Sequence, residues 1–322
     1  MADDHQGHAH GGAGHGHSHG VSADADRGKL KIALALLLGF MGFEVAVGIA
    51  VHSLALLSDA AHMLTDAGAI ALSLVAINLA KRPAKGAMTF GYKRAEILSA
   101  QFNGATLLVL GLLIVVEGIR RLVNPPDVEG TAVLIVALIG IVVNLAATWT
   151  LSKANRQSMN VEGAYQHILT DLAAFVFTAI AGATILLTGW TRADGVASLV
   201  IAAIMLYASF GLLRASGRVF LEAAPEGYDP DAIGQAMVHE LNVAEVHDLH
   251  VWEVTSGFPS LSAHILVGPD CDCHDVRRQL ERLINDRFGI EHTTLQVDHQ
   301  GGELLDIEMP EQRRAYRAPE AR

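Results

Sequence analysis

Two His-x-x-x-Asp pairs lie inside apolar stretches of this chain: His62 with Asp66, and His167 with Asp171. Residues four apart on a helix share one face, one turn apart. Ionisable groups at membrane depth are costly, so they pair, line a water path or hold an ion. Together the pairs supply two imidazoles and two carboxylates, a complete tetrahedral set for a zinc-like ion. Spacing alone does not show that the two pairs meet.

The residue types also imply a coupling chemistry. Neutral imidazole and carboxylate bind a metal, and their protonated forms do not. An unperturbed histidine titrates near pH ~6.5, so protons and metal compete for one site near neutrality. A site that opens alternately to each side then exchanges protons for metal. Two nitrogens and two oxygens suit zinc and accept cobalt or cadmium, whereas magnesium and calcium prefer all-oxygen shells. Asp59 falls on the same stripe as His62 and Asp66; it either ends the path or caps local backbone. Glu44, Asn103 and Asn144, in other apolar runs, either line a path or hydrogen-bond between helices.

Such side chains need membrane-crossing helices to position them. The 322 residues are 51% hydrophobic, too apolar for an ordinary soluble protein of this length. Six runs are predicted to span: Leu30–Val51, Leu54–Ala80, Ala95–Val123, Thr131–Leu151, Gly163–Thr188 and Asp194–Leu213. Each reaches the length of about 20 residues that a spanning helix needs. Lys and Arg set the orientation. Arg27, Lys29, Lys31, Lys81, Arg82, Lys85, Lys93, Arg94, Lys153, Arg156, Arg214 and Arg218 flank one side, against Arg120, Arg121 and Arg192 on the other. The basic side is cytoplasmic, so the expected location is the cell (inner) membrane, multi-pass, with both termini cytoplasmic. A net charge of −11 leaves no basic stripe for nucleic acid.

The chain divides into four parts. Residues 1–28 carry His5, His8, His10, His15, His17 and His19 among small residues; this low-complexity tail is expected to be disordered and cytoplasmic, serving loose metal capture or only polarity. Residues 29–222 form the six-helix membrane domain. Residues 223–300 read as a small cytoplasmic α+β domain in the order α-β-β-α-β: Asp229–Leu241, His247–Ser256, Ser260–Val267, Asp272–Phe288 and His292–His299. Its size is near the lower limit for a free-standing core, which dimerisation would relieve. Residues 301–322 are expected to be a second disordered tail. Cys271 and Cys273, spaced too tightly for an ordinary disulfide framework, fit a reducing compartment.

The run Ser53–Leu54–Ala55–Leu56–Leu57–Ser58–Asp59–Ala60–Ala61–His62–Met63–Leu64–Thr65–Asp66 resembles the cation diffusion facilitator family. So do the loop Phe90–Gly91–Tyr92–Lys93–Arg94–Ala95–Glu96 and the run His167–Ile168–Leu169–Thr170–Asp171. The His-Asp form of both pairs is similar to its zinc-transporting branch. The likeness covers about Leu30 to His299. It implies a homodimer in the lipid bilayer, a six-helix membrane domain and a metallochaperone-like cytoplasmic domain. It also implies export of Zn2+ against H+, with His62, Asp66, His167 and Asp171 as the transport site.

Two further metal sites occur in some members. The loop site between spans two and three would fall on Lys85, Met88 and Tyr92, none of which suits zinc, so that site is expected to be absent. The cytoplasmic-domain site would fall on His247, His264, His274 and Asp298, with Gln296 where another histidine stands. Zinc is thus the expected cargo and a regulatory ligand. Cys271 and Cys273, opening a helix beside His274, either capture metal or sit idle in a turn. Arg94 and Glu222 are expected to meet at the cytoplasmic boundary. Two other functions fit parts of the pattern: a membrane-bound metal sensor or buffer, and an intramembrane metalloenzyme. The enzyme reading lacks a His-Glu-x-x-His and an open coordination position. No phosphate-cradling loop marks an ATP motor.

Overall fold

A computed structural model describes the backbone of residues 19–50, 54–125, 130–156, 158–300 and 316–317. It describes their side chains except at 19–26, 48, 50, 54–62, 130, 132, 133 and 317. The first two thirds of the chain form a bundle of six long helices: α1 (His19–Ala50), α2 (Leu54–Ala80), α3 (Ala95–Val123), α4 (Gly130–Ser152), α5 (Met159–Thr188) and α6 (Ala193–Phe220). All six are long and apolar enough to cross a membrane. Each apolar run thus became one helix, because backbone groups in a bilayer must be satisfied within their own segment. The notable difference is α1, which begins at His19, well before the apolar run at Leu30. Hydropathy marks where lipid begins, and a helix is free to continue into polar sequence. The histidines before His19 lie outside the described residues.

The bundle has two packing schemes. Leu30, Leu37, Met63, Ile70, Leu151, Val161 and Ile168 form a buried cluster that joins α1, α2, α4 and α5. The α3–α6 pair closes on small residues instead. Gly104, Gly111 and Gly118 repeat every seven residues along α3, and a Cβ at each would lie 3.0–3.1 Å from Leu213, Leu206 and Leu199 of α6. Close backbone approach of this kind substitutes for a hydrophobic drive that lipid cannot supply. Arg121 Nη1 of α3 also bonds Asp194 Oδ2 of α6 at 2.6 Å.

A small α+β domain follows: α7 (Pro230–Val238), β1 (Val243–Glu253), β2 (Pro259–Val267), α8 (Cys273–Phe288), β3 (His292–His299) and β4 (Tyr316–Arg317). The sheet order is β3-β2-β1-β4; β1 pairs antiparallel with β2 and β4, and β2 pairs parallel with β3. Asp229 caps α7 and Asp272 caps α8, each accepting backbone N–H bonds, and Gly289 ends α8 at φ 68°. Ile233, Met237, Val246, Leu261, Ile265, Leu280 and Ile284 form the core. The strand β4 was not expected. Tyr316 is buried against Gly234, and its hydroxyl bonds Asp231 Oδ1 at 2.7 Å. The rest of the tail lies outside the described residues.

Candidate metal centre

Both predicted membrane ligand pairs sit on helices that pack together, α2 and α5. Ligand atoms of Asp66, His167 and Asp171 all lie within 4.8 Å of one another. His167 is 1% exposed and Asp66 is 14% exposed. Its Nε2 stands 2.6 Å from Asp66 Oδ1, a hydrogen-bond distance. Two ligands on one tetrahedral zinc, with bonds of about 2.0–2.1 Å, stand about 3.3 Å apart. The pair as it stands shares a proton, and a metal held by both would take that proton's place. His62 lies one turn before Asp66 on α2. Its side chain, like that of Asp59, lies outside the described residues.

The start of α5 is tied down with unusual care. Ser158 caps it, accepting from Val161 N at 3.4 Å, and donates its own hydroxyl to Glu96 of α3. The hydroxyl of Thr255, in the β1–β2 turn, lies 3.0 Å from Glu96 Oε2 and 3.1 Å from Lys93 O, and its one proton is shared between them. Ser256 Oγ accepts from Met159 N at 3.0 Å. The α+β domain thus satisfies an amide that a helix start otherwise leaves open. From Met159 to His167 is about 12 Å along the helix at about 1.5 Å per residue. Glu253 lies just below this turn; burial, then the Glu96 carboxylate, push its pKa up against the bond it accepts from Gly257 N. The Arg94–Glu222 contact forms as expected, at 3.2 Å. Sequence reading missed the Glu96–Ser158–Thr255 junction, whose parts are far apart in the chain and individually ordinary.

A second group forms on the α+β domain. Ligand atoms of His247, Asp248 and His264 lie within 4.8 Å of one another. His247 and His264 face each other across β1 and β2, as predicted ligands should. His264 borders a shallow cavity of about 230 Å³ with Asp248, His250, Thr294 and Gln296 on its wall. Asp248 was not foreseen. Strict alternation would turn it away from His247, but β1 shifts register between His247 and His250, with Asp248 at φ 51°. That irregularity brings its Oδ2 to 3.6 Å from His264 Nδ1. His274 and Asp298 are not in the group. His264 points away from the core, whereas α8, which carries His274 in its first turn, packs on the core face. Asp298 pairs opposite Leu266 and accepts from Gln296 Nε2 at 2.9 Å. In the loop between α2 and α3, Lys85 and Met88 bond each other's backbone.

Of the other polar residues in the spans, Glu44 is buried at 1% exposure. Asn144 donates to Gly140 O within its own helix. Asn103 donates to Ser73 Oγ across α3 and α2 at 3.3 Å.

Comparison with known proteins agrees with this architecture. Residues 30–221 match the family model of the cation efflux transmembrane domain, and residues 226–300 that of the cation efflux protein cytoplasmic domain. The chain is 35% identical to the cadmium, cobalt and zinc/H(+)-K(+) antiporter of Bacillus subtilis (strain 168), over 86% of this chain and 92% of that protein. It is 40% identical to the metal cation efflux system protein CzcD of Cupriavidus metallidurans, over 80% and 82% respectively. With the zinc transporter ZitB of Escherichia coli (strain K12) it shares 36% identity over 81% and 84%. The chain is therefore a multi-pass membrane protein of the cation efflux family.

Proposed function

We propose that this protein exports zinc from the cytoplasm in exchange for protons, as a homodimer in the cell (inner) membrane with both termini cytoplasmic. One observation carries the reading: Asp66, His167 and Asp171 converge inside a bundle of six apolar helices. His62, one turn from Asp66, completes the four-ligand transport site. Relatives named as zinc transporters and as a cadmium, cobalt and zinc antiporter support the choice of cargo and of antiport. The matching cytoplasmic family model, whose name denotes a dimer, supports the homodimer. The working divisions are residues 29–222 for transport and 223–300 for the cytoplasmic domain, with tails at 1–28 and 301–322.

The exchange follows from the shared proton. Zinc arriving from the cytoplasm takes the place of the proton between His167 and Asp66, and that proton is released to the cytoplasm. Once the site faces outward, protons outside compete for the imidazoles and carboxylates and release the metal. A pH gradient, acid outside, then drives export without ATP. Zinc flux in vesicles containing the purified protein tests this directly. Flux should rise with the imposed gradient; flux that ignores the gradient excludes antiport.

A sensor reading is favoured by a single observation, the His247–Asp248–His264 group on the open face of the sheet. We assign it as a regulatory zinc site of the exporter. Predicted partners His274 and Asp298 stand outside this group within one chain. Zinc binding without flux would make the sensor the primary function.

A further inference from the structure

Three helices meet in a second buried polar cluster, at Ser73 of α2, Asn103 of α3 and Asn160 of α5, each fully buried. Its hydrogen bonds settle which way both amides point. Asn160 Nδ2 lies 2.6 Å from the backbone oxygen of Ser73, which only accepts. Ser73 Oγ spends its single proton on Ala69 O at 3.1 Å, so it accepts from Asn103 Nδ2 at 3.3 Å. Both amide nitrogens are therefore committed to Ser73. What remains is the oxygen of each amide, and neither Asn103 Oδ1 nor Asn160 Oδ1 has a partner among the described residues. Ser99 Oγ, also on α3, is in the same state.

Buried carbonyl oxygens without partners are expensive, because they have given up water and gained nothing. Two on adjoining helices, with their donors turned aside, mark a place made for something that donates. The level of the cluster says what. Ser73 lies seven residues after Asp66 on α2, and Asn160 lies seven residues before His167 on the antiparallel α5. Both steps are two turns, about 10 Å, toward the end of α5 that the α+β domain caps. The cluster therefore sits between the metal centre and the domain side.

We propose that Asn103 and Asn160 form an entry station, where a hydrated divalent cation rests on its way to the Asp66–His167–Asp171 centre. Water bound to a divalent cation turns its oxygen to the metal and presents only protons outward. An acceptor-only station matches that shell through the waters, without asking neutral amides to replace carboxylates as zinc ligands. The same two residues, bonded to Ser73, hold α2, α3 and α5 together when no ion passes.

The proposal rests on the transport reading, and its test separates the two. Zinc flux is measured in vesicles for wild type, Asn103→Leu and Asn103→Asp, alongside equilibrium zinc binding to the same purified proteins. Asn103→Leu should slow flux tenfold or more while zinc affinity changes less than threefold. Asn103→Asp keeps an acceptor and lets the Ser73 hydroxyl turn to donate, so it should recover most of the flux. Equal losses in Leu and Asp variants would mean a packing latch and overturn the station, as would full flux in the Leu variant. Should the Leu variant misfold, Asn103→Cys, with Cys271 and Cys273 changed to Ser, still decides. A small cationic thiol reagent added from the domain side should label it, more slowly with zinc present; absence of labelling overturns the station. No flux in wild type would instead refute the transport reading.

Discussion

Asp66, His167 and Asp171 are held by two helices inside an apolar bundle, whereas His247, Asp248 and His264 stand on the outer face of a sheet. The chemistry of the two groups is nearly the same, two kinds of ligand drawn from His and Asp. Their surroundings differ. His167 is almost completely buried, while the His264 side chain is 46% exposed. Burial makes an unliganded charge costly, so the membrane group must always hold something, a proton or a metal. Water reaches His264, so that ligand can wait empty, while His247 beside it is mostly buried. The first arrangement suits obligatory exchange; the second suits reversible sensing.

The sharpest way to break this comparison is to remove one ligand from each group. Asp171→Ala should lower zinc flux by about 100-fold or more, since even outer-shell changes at metal sites cost about 10–100-fold. His264→Ala should leave flux within a few-fold. Vesicle flux at saturating zinc measures both. Comparable losses would mean that the two groups work as one site. A smaller effect is expected from Asp248→Asn, which keeps the shape and removes the charge. In a His167→Ala background, calorimetry should show zinc binding to the cytoplasmic group weakened about 10-fold, on the scale of such metal-site changes. Unchanged binding would remove Asp248 from the ligand set.

The two regions were also unequally legible. His62, Asp66, His167 and Asp171 stood out because a charge inside an apolar run has few innocent explanations. Periodicity then placed each pair on one helix face, and hydropathy set the helices, missing the extensions of α1 from His19, of α5 from Met159 and of α6 to Phe220. The cytoplasmic group yielded His247 and His264, which face each other in register. Asp248 did not follow, because alternation assumes a regular strand and the register shift here breaks it. Nor did β4, two residues long and separated from β3 by sixteen residues of tail. Asn160 carried no signal at all, being one polar residue at a helix start. Its role emerged only from the direction of its amide against Ser73.

What joins the two regions can be weakened separately. Ser256→Ala removes the cap on Met159 N at the start of the helix that carries His167 and Asp171. Loss of a helix cap costs about 0.5–2 kcal/mol. Thermal unfolding should therefore begin earlier in this variant, and flux should fall severalfold with zinc affinity unchanged. An altered affinity with normal stability would place the effect at the metal instead. The turn should also respond to pH. Glu253 holds its proton to higher pH than an ordinary carboxyl, because burial and Glu96 oppose its charge. A folded pKa above the unfolded one means the folded state binds more protons, so stability is lost as pH rises through that window. Glu253→Gln should raise the melting temperature near neutral pH and leave it unchanged in acid. An equal shift at both pH values would point to packing.

The smallest effect belongs to the Arg94–Glu222 contact. Both side chains are exposed, at 41% and 63%, so the pair itself contributes about 0–1 kcal/mol. Glu222 is a non-glycine residue at φ 54°, in the left-handed region, which costs about 1 kcal/mol or more outside glycine. These two terms separate by substitution. Glu222→Ala loses the ion pair and keeps the strain. Glu222→Gly loses the ion pair and relieves the strain, so it should be the more stable of the two by about 1 kcal/mol. If Glu222→Ala unfolds no earlier than wild type while Glu222→Gly unfolds later, the contact carries nothing and the backbone at the boundary carries the cost. A strained residue between the last membrane helix and the α+β domain would then persist for its geometry: it turns the chain so that the β1–β2 turn can reach α5. Under that outcome Glu222→Gly, although more stable, should hold the domain less firmly and slow flux, and normal flux in it would show that this turn of the chain is not needed to position the metal centre.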